Sequence, residues 1–458
     1  MRPALALAVL AASAAAAQPP QRPGGAPDEP PIALHDVLVR AVAQSPLVEA
    51  ARSRVRAAEG ARITARAFGN PILTYQVENA PFPGGHAPAG MDAERSAFAT
   101  LPLEPLFQRR PRARRAEEDV RAARAELDLA RRVVALDAAR AYYRLALAQA
   151  AVEGATDVRD RLDELGAYTE SRVKEGVTSE GDLIRVQVEQ DRAEADLALA
   201  SVELARARGE LAPYLGAPVV AAGLGAVRVA DTSAVPVQGF GAAGTALAPL
   251  ADYLARARTS RPDLVAARAR VAAGRAETGY QRSLAVRQLG ATLGAKRIAG
   301  ESSMIAGLSL PLPIFDQNRG EVQRASAERA AAEQELAWRE RQVAAEVAAA
   351  HEAARLLVAR RGGRAGSVVA RAEEARRIAL AAYREGAVSL LQVIDASRTL
   401  GEARLSYYRT LFAERESLLE LNVVTGGELL APPAIPSTAS ADATTDARPA
   451  AGRVGGLP

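Results

Sequence analysis

The sequence predicts a mainly α-helical chain with a small β part, laid out as two internal repeats of helix, strand, strand, long helix and helix. Three observations carry that prediction. A strand-to-helix switch is made twice: FATLPLEPLFQRRPRA at 98–113 and GLSLPLPIFDQNRGEV at 307–322 each run from an alternating segment through prolines into an Ala/Arg/Glu-rich helix. Matched segments recur in the same order, SPLVEAARSRV at 45–55 with RPDLVAARARV at 261–271, and KEG at 174–176 with REG at 384–386. Self-similarity of this extent governs the whole architecture. Finally, Ala116, Val120, Ala123, Leu127, Ala130, Val134, Ala141, Ala148, Ala155, Val158, Leu162 and Leu165 keep spacings of three and four or their multiples, the seam of a coiled coil.

The elements follow in order. Arg2, an apolar run from Ala4 to Ala12 and Ala15-Ala16-Ala17 read as a signal peptide over 1–17, cleaved after Ala17. Residues 18–33 are Pro-rich and extended. Repeat 1 covers 34–212. Its first helical stretch runs from Leu34 to Phe68 and is stopped by Gly69-Asn70-Pro71. Strands are predicted at 71–79 and 96–103, then long helices at 112–173 and 179–211. Residues 213–250, rich in Gly, Ala, Val and Pro, form a connector. Repeat 2 covers 251–426, with strands at 288–297 and 303–312 and long helices at 320–385 and 389–425. Gly362, Gly363 and Gly366 predict a kink, each costing about 1 kcal/mol relative to Ala. The Pro/Ala/Thr-rich tail at 427–458 is predicted to be disordered.

Composition narrows the function. Of 458 residues 49% are hydrophobic but only 4% aromatic, so alanine-based helix packing dominates over a thick globular core. A formal charge of +4, with arginines interleaved among Glu and Asp, describes solvated helix faces and not a nucleic-acid surface. There is no cysteine, hence no disulfide, thiolate metal site or lipid-modified Cys. Beyond the N-terminus no apolar run approaches the length of a membrane helix, so any membrane contact must come from strands.

The strands have the length of tilted bilayer-crossing strands. Four strands cannot close, and an open edge in lipid leaves backbone groups unpaired. If the strands lie in a membrane, the chain must therefore assemble. Two copies give eight strands with a filled interior, whereas three give twelve and room for a channel. The alternative is a pair of soluble hairpins capping a coiled coil. Leu73, Tyr75 and Val77 oppose Thr74, Gln76 and Glu78 in the first strand, while the third, QLGATLGAKR, alternates weakly.

Together these residues resemble the TolC-like outer-membrane efflux proteins over about 34–426. QVENAPFPGG at 76–85 and PLPIFDQNRGEVQRA at 311–325 look most like the heavy-metal-efflux (CzcC/CusC-like) branch. The resemblance implies a homotrimer with a twelve-stranded barrel in outer-membrane lipid, continuous with an α-helical tunnel through the periplasm of a Gram-negative bacterium. It also implies two partners, a periplasmic adaptor (membrane fusion protein) and an inner-membrane RND pump, which together make a tripartite export system.

Candidate residues lie at the two helix turns, RVKEGVTSEGDL at 172–183 and AYREGAVSLLQV at 382–393. Gly176 and Gly386 allow the backbone to reverse, and Ser179 and Ser389 suit helix caps. In the family these tips also dock the adaptor, which would engage Lys174, Glu175, Arg384 and Glu385. The resemblance further makes Asp182, Tyr383, Gln392 and Asp395 a periplasmic gate. Asp395 matches the second of two acidic tunnel-facing positions and Gln392 stands at the first. Tyr383 and Asp182 match a latch pair, with Val388 where the family has a basic partner.

No catalytic constellation is present, and no cofactor is implied. His35, His86 and His351 are far apart, Met91 and Met304 form no soft-metal cluster, and GARIT and GGRAG lack the lysine of a phosphate loop. Three functions remain: an exit duct for heavy-metal cations, the same kind of duct for drugs or secreted proteins, and a periplasmic coiled-coil scaffold or adaptor.

Overall fold

A computed structural model describes residues 31–81, 83–85, 92–103, 105–216, 227–230, 247–287, 289–310, 312–361 and 365–427. The expected signal peptide, nearly all of the extended N-terminal segment, most of the connector and the tail lie outside the described residues. The elements, in chain order, are α1 (Leu34–Gln44), α2 (Pro46–Arg66), β1 (Ile72–Glu78), β2 (Glu94–Pro102), α3 (Pro105–Lys174), α4 (Glu180–Leu215), α5 (Leu250–Ser260), α6 (Pro262–Ser283), β3 (Gly290–Ile298), β4 (Glu301–Ser309), α7 (Arg319–Arg361), α8 (Ala365–Arg384) and α9 (Leu390–Val424).

Several boundaries depart from the sequence expectation for identifiable reasons. The helical stretch from Leu34 breaks at Ser45, whose extended backbone (φ −68°, ψ 121°) is what a residue preceding Pro46 prefers. α3 begins at Pro105, not at 112, with Pro111 inside it. Pro111 lies in the second turn, where it forgoes the bond its nitrogen would otherwise donate to Phe107 O, and it packs near the small Gly279 of α6. α4 likewise runs through Pro213 to Leu215. β4 ends at Ser309, so Leu310 and Leu312 lie beyond the ladder. The predicted 320–385 helix is described as α7 and α8. The predicted kink at Gly362-Gly363 lies outside the described residues.

α3, at 70 residues, is a rod about 105 Å long. The predicted seam is its packed face: Ala116, Val120, Ala123, Leu127, Val134, Ala141, Ala148, Leu162 and Leu165 are all buried. Near the middle the rod is wrapped on nearly every side. Tyr142 is fully buried, and its hydroxyl donates to Ala230 O (3.1 Å) and Ile32 O (3.3 Å). It thus pins the short Ile32–Val229 bridge against the helix. Burial pushes the Tyr143 phenol up to about 12, and its ring continues an aromatic cluster through Phe412 to Tyr408.

Lower down, α3 and α4 pack side by side with α8 and α9. Asp157 of α3 bonds Arg161 (2.7 Å) and Arg404 of α9 (2.6 Å), and Arg404 also reaches Glu373 of α8 (2.6 Å). Burial opposes the Asp157 charge, but the two guanidiniums outweigh it and hold the carboxyl below its ordinary value.

At the other end the four strands form one antiparallel sheet in the order β1-β2-β3-β4. The β2–β3 ladder joins the two halves of the chain, and β1 and β4 are left as edges. β3 and β4 meet in a two-residue turn in which Ala299 (φ 49°) and Gly300 (φ 91°) are both left-handed, as a type I′ hairpin requires.

The register gives the two faces different character. One face stacks Leu73, Ala99, Leu293 and Ala306, then Tyr75, Ala97, Ala295 and Met304, with Leu101, Ala291 and Leu308 at the helix end. The opposite face is mostly polar, with Thr74, Gln76, Glu78, Glu94, Ser96, Thr100, Thr292, Lys296 and Ser303, and it also carries Ile72, Phe98, Ile298 and Ile305. On the apolar face Leu73 is 79% exposed and Met304 76%.

Both strand-to-helix switches are locked by buried amides. At the first, Gln108 donates to Val286 O (2.9 Å), while Arg109 and Arg112 bond the last carbonyls of α2 at Arg66 (2.6 Å) and Ala65 (2.9 Å). The basic run FQRRPR therefore serves a helix C-terminus. At the second, Asn318 is 3% exposed, has φ 59°, and donates to Gln281 O (2.6 Å) and Gln281 Oε1 (3.0 Å). Gln281 bonds Glu277 (2.7 Å), which pairs with Arg115 of α3 (2.7 Å). One polar chain thus ties the second switch to the first long helix.

Candidate functional site

The two helix turns are brought together at the end of the molecule opposite the sheet, and they have the same geometry. In the first, Gly176 N bonds Val173 O (3.0 Å) and Val177 N bonds Arg172 O (2.9 Å). In the second, Gly386 N bonds Tyr383 O (3.0 Å) and Ala387 N bonds Ala382 O (2.8 Å). This is the Schellman pattern, with Gly176 (φ 70°) and Gly386 (φ 78°) at the left-handed position. An added Cβ would meet nothing at either glycine. Gly176→Ala is therefore expected to cost only the left-handed strain, about 1 kcal/mol, with Gly386→Ala the same. Thermal midpoints of the two variants check this, and a large difference between them would contradict the equivalence.

The serines differ. Ser179 caps α4 as expected, accepting from Asp182 N (3.2 Å) and donating to Asp182 Oδ2 (3.0 Å). Ser389 occupies the same position before α9 but makes no side-chain cap. Ser389 and Gln392 have the spacing of a capping box but lack its cap bond.

A small apolar core of Leu162, Leu165, Val186, Ala193, Tyr383, Leu390, Val393 and Ile394 holds the turns together. Sequence reading missed Tyr168 and Arg172. Tyr168 meets the Tyr383 ring edge-on at 6.1 Å, and the Arg172 guanidinium lies 5.8 Å from both ring centres. The only signal was that all three sit within two turns of the matched KEG and REG motifs. Tyr383 is 6% exposed, and its buried hydroxyl has no hydrogen-bond partner among the described residues. Within the chain, Asp182 bonds Ser179 and lies 3.6 Å from Arg185, so the Tyr383–Asp182 latch is not formed inside one protomer.

The remaining candidates are exposed. Lys174 pairs with Glu170 (2.8 Å) and Glu175 accepts from Ser171 (3.3 Å), while Arg384 and Glu385 have no side-chain partner among the described residues. Gln392 and Asp395 are exposed on one side of α9, one turn apart, with Val393 and Ile394 buried behind them. Arg398, a turn further on, is held by Glu189 of α4, and Asp395 has no ion-pair partner among the described residues. No group of His, Asp and Glu able to hold a metal occurs among the described residues. Nor is any described helix long and apolar enough to cross a membrane.

Rods of this length, ending in a narrow sheet with one exposed apolar face, have the layout that the resemblance to TolC-like channels implies. The chain belongs to the outer membrane efflux protein family, whose model matches residues 37–217 and again 253–427. It is 26% identical over 402 residues to the cobalt-zinc-cadmium resistance protein CzcC of Cupriavidus metallidurans, covering 86% of this chain and 90% of that protein. The outer membrane protein VceC of Vibrio cholerae shares its fold, with a TM-score of 0.67 at 21% identity over 87% of this chain and 97% of that one. CusC, described for its folding and transmembrane channel formation, does so with a TM-score of 0.68 at 18% identity over 86% of this chain and 92% of that one.

Proposed function

We propose that three copies of the chain close a twelve-stranded barrel in the outer membrane, continuous with a periplasmic helical tunnel. The assembly is the exit duct for heavy-metal cations of a tripartite RND-type efflux system. The observation that carries this reading is the sheet: one apolar face, one mostly polar face and two open edges. Such a sheet is stable in lipid only if β1 of one copy pairs with β4 of the next. Copies related by a closed rotation do this without leaving an edge. The polar face then lines the lumen.

The tips at Gly176 and Gly386 mark the periplasmic end, where exposed Lys174, Glu175, Arg384 and Glu385 suit an adaptor's polar contacts. The unpaired carboxylate of Asp395, repeated three times around an axis, attracts cations at the narrow end. Gln392 adds no charge to that ring. The Tyr383 hydroxyl is enclosed within its own protomer and has no partner among the described residues, so a latch to Asp182 requires the tip to rearrange. Energy for export comes from the inner-membrane pump.

Metal cargo rests on the similarity to CzcC. Deleting the chain's gene is expected to lower the host's tolerance of cobalt, zinc or cadmium, measured as growth across a metal series and restored by the intact gene. Unchanged metal tolerance together with new sensitivity to organic drugs would overturn the cargo and favour a multidrug duct.

A further inference from the structure

The strand register segregates charge as well as polarity. All three strand carboxylates, Glu78, Glu94 and Glu301, lie on the inner face, where Lys296 pairs with Glu94. The outward face carries no carboxylate in any strand. It carries two arginines, and they are directly opposed: Arg95 of β2 faces Arg297 of β3, in a row completed by Val77 and Ser302. Both arginines are exposed, and neither has an ion-pair partner among the described residues. Like charges placed opposite each other across a ladder destabilise it. A sheet that keeps such a pair, on a face otherwise free of charge, calls for a compensating anion from outside the chain.

The position of the row says which anion. The apolar rows begin at Leu101, Ala291 and Leu308, beside the helices, and end one rung before the arginines. Six residues at about 3.4 Å each separate the first row from Arg95, about 20 Å along the strand and about 15 Å in height at a barrel strand's tilt. Exposed Leu310 and Leu312 continue the apolar surface on the helix side, so the arginine row stands at the far end of a lipid-facing band about 25 Å tall. The arginines therefore stand at headgroup level, on the side away from the helices. With the helices in the periplasm, that side is the outer leaflet. Planar guanidiniums match phosphate oxygens in a two-pronged geometry and tolerate partial dehydration.

We propose that Arg95 and Arg297 form a binding site for the phosphate of an outer-leaflet lipid headgroup, one site per protomer. The inference rests on the membrane reading above, and its test separates the two. The full chain is reconstituted into phosphatidylcholine vesicles with or without bis-phosphorylated lipid A, and the lipid A retained per chain after purification is counted. The parent is expected to retain lipid A. The Arg95→Gln/Arg297→Gln double variant is expected to bind it about tenfold more weakly, while inserting and conducting normally in phosphatidylcholine alone. Lysine at both positions is expected to recover part of the binding.

Equal retention by parent and double variant would overturn the proposal and leave snorkelling side chains as the account of both arginines. Displacement of lipid A by inorganic phosphate alone would overturn the lipid assignment. Failure of the parent to insert into either vesicle would instead overturn the membrane reading, and it is seen before any lipid is counted.

Discussion

A chain carrying Asn318→Leu is expected to be destabilised by about 2–4 kcal/mol, enough to lower the yield of folded protein. Asn318 sits where the second sheet-to-helix switch turns into α7. Its carbonyl accepts from Val322 N (3.1 Å), and its own N–H donates to Asp316 Oδ1 (2.8 Å). Its side chain links this turn to Gln281 of α6 and receives the Arg287 guanidinium (2.5 Å). Leucine removes those bonds and leaves Gln281 Oε1 facing an apolar group in a buried site. It also adopts the left-handed φ of 59° less readily than asparagine does. Asn318→Gly separates the two effects, since it relieves the backbone and still loses the bonds. Its thermal midpoint in detergent is expected between those of parent and leucine variant. A leucine variant as stable as the parent would show that Asn318 is not a structural hub.

The second large effect is expected at Gly294. A Cβ there would lie 2.3 Å from both Ala97 O and Phe98 Cβ on β2, closer than real atoms approach. Phe98 is its direct cross-strand partner and lies over it. Gly294→Val must therefore push apart the one ladder that joins the two halves of the chain, a loss of more than about 4 kcal/mol. No assembled barrel is expected in the membrane fraction. Ala295→Val is the control. Ala295 is the next residue of the same inner strand, exposed on the opposite, outward face across from Ala97. The control is expected to assemble. Equal assembly by both variants would contradict the β2–β3 register.

These two positions also show where the sequence stops being legible. The long helices, the paired turns and the seam were readable because their signals are local: glycines three residues before a serine, and apolar residues every third or fourth position. The strand faces were only half readable. In QLGATLGAKR the outward residues Ala291, Leu293 and Ala295 alternate with Thr292, Gly294 and Lys296, but alanine carries little hydrophobic contrast. The face becomes obvious only when Leu293 is laid beside Leu73, Ala99 and Ala306. The β3–β4 turn was missed for a similar reason, since Ala299-Gly300 lacks the Asn-Gly signature while adopting the same backbone.

Asn318 was hidden because its partner, Gln281, is on another helix, and nothing local distinguishes a hub from an ordinary turn asparagine. At the tips, the matched motifs pointed to Tyr383 and Asp182, but the packing of Tyr383 depends on Tyr168 and Arg172 from the other turn. The resemblance pointed to these residues, and only the fold could supply their neighbours.

The central claim is that the sheet's two open edges are closed by neighbouring copies in lipid. The most direct test is the mass of the intact particle extracted from membranes with detergent, measured under non-denaturing conditions. A mass of three chains, with Gly294→Val giving none, is the predicted result. A monomer released into buffer without detergent would contradict it.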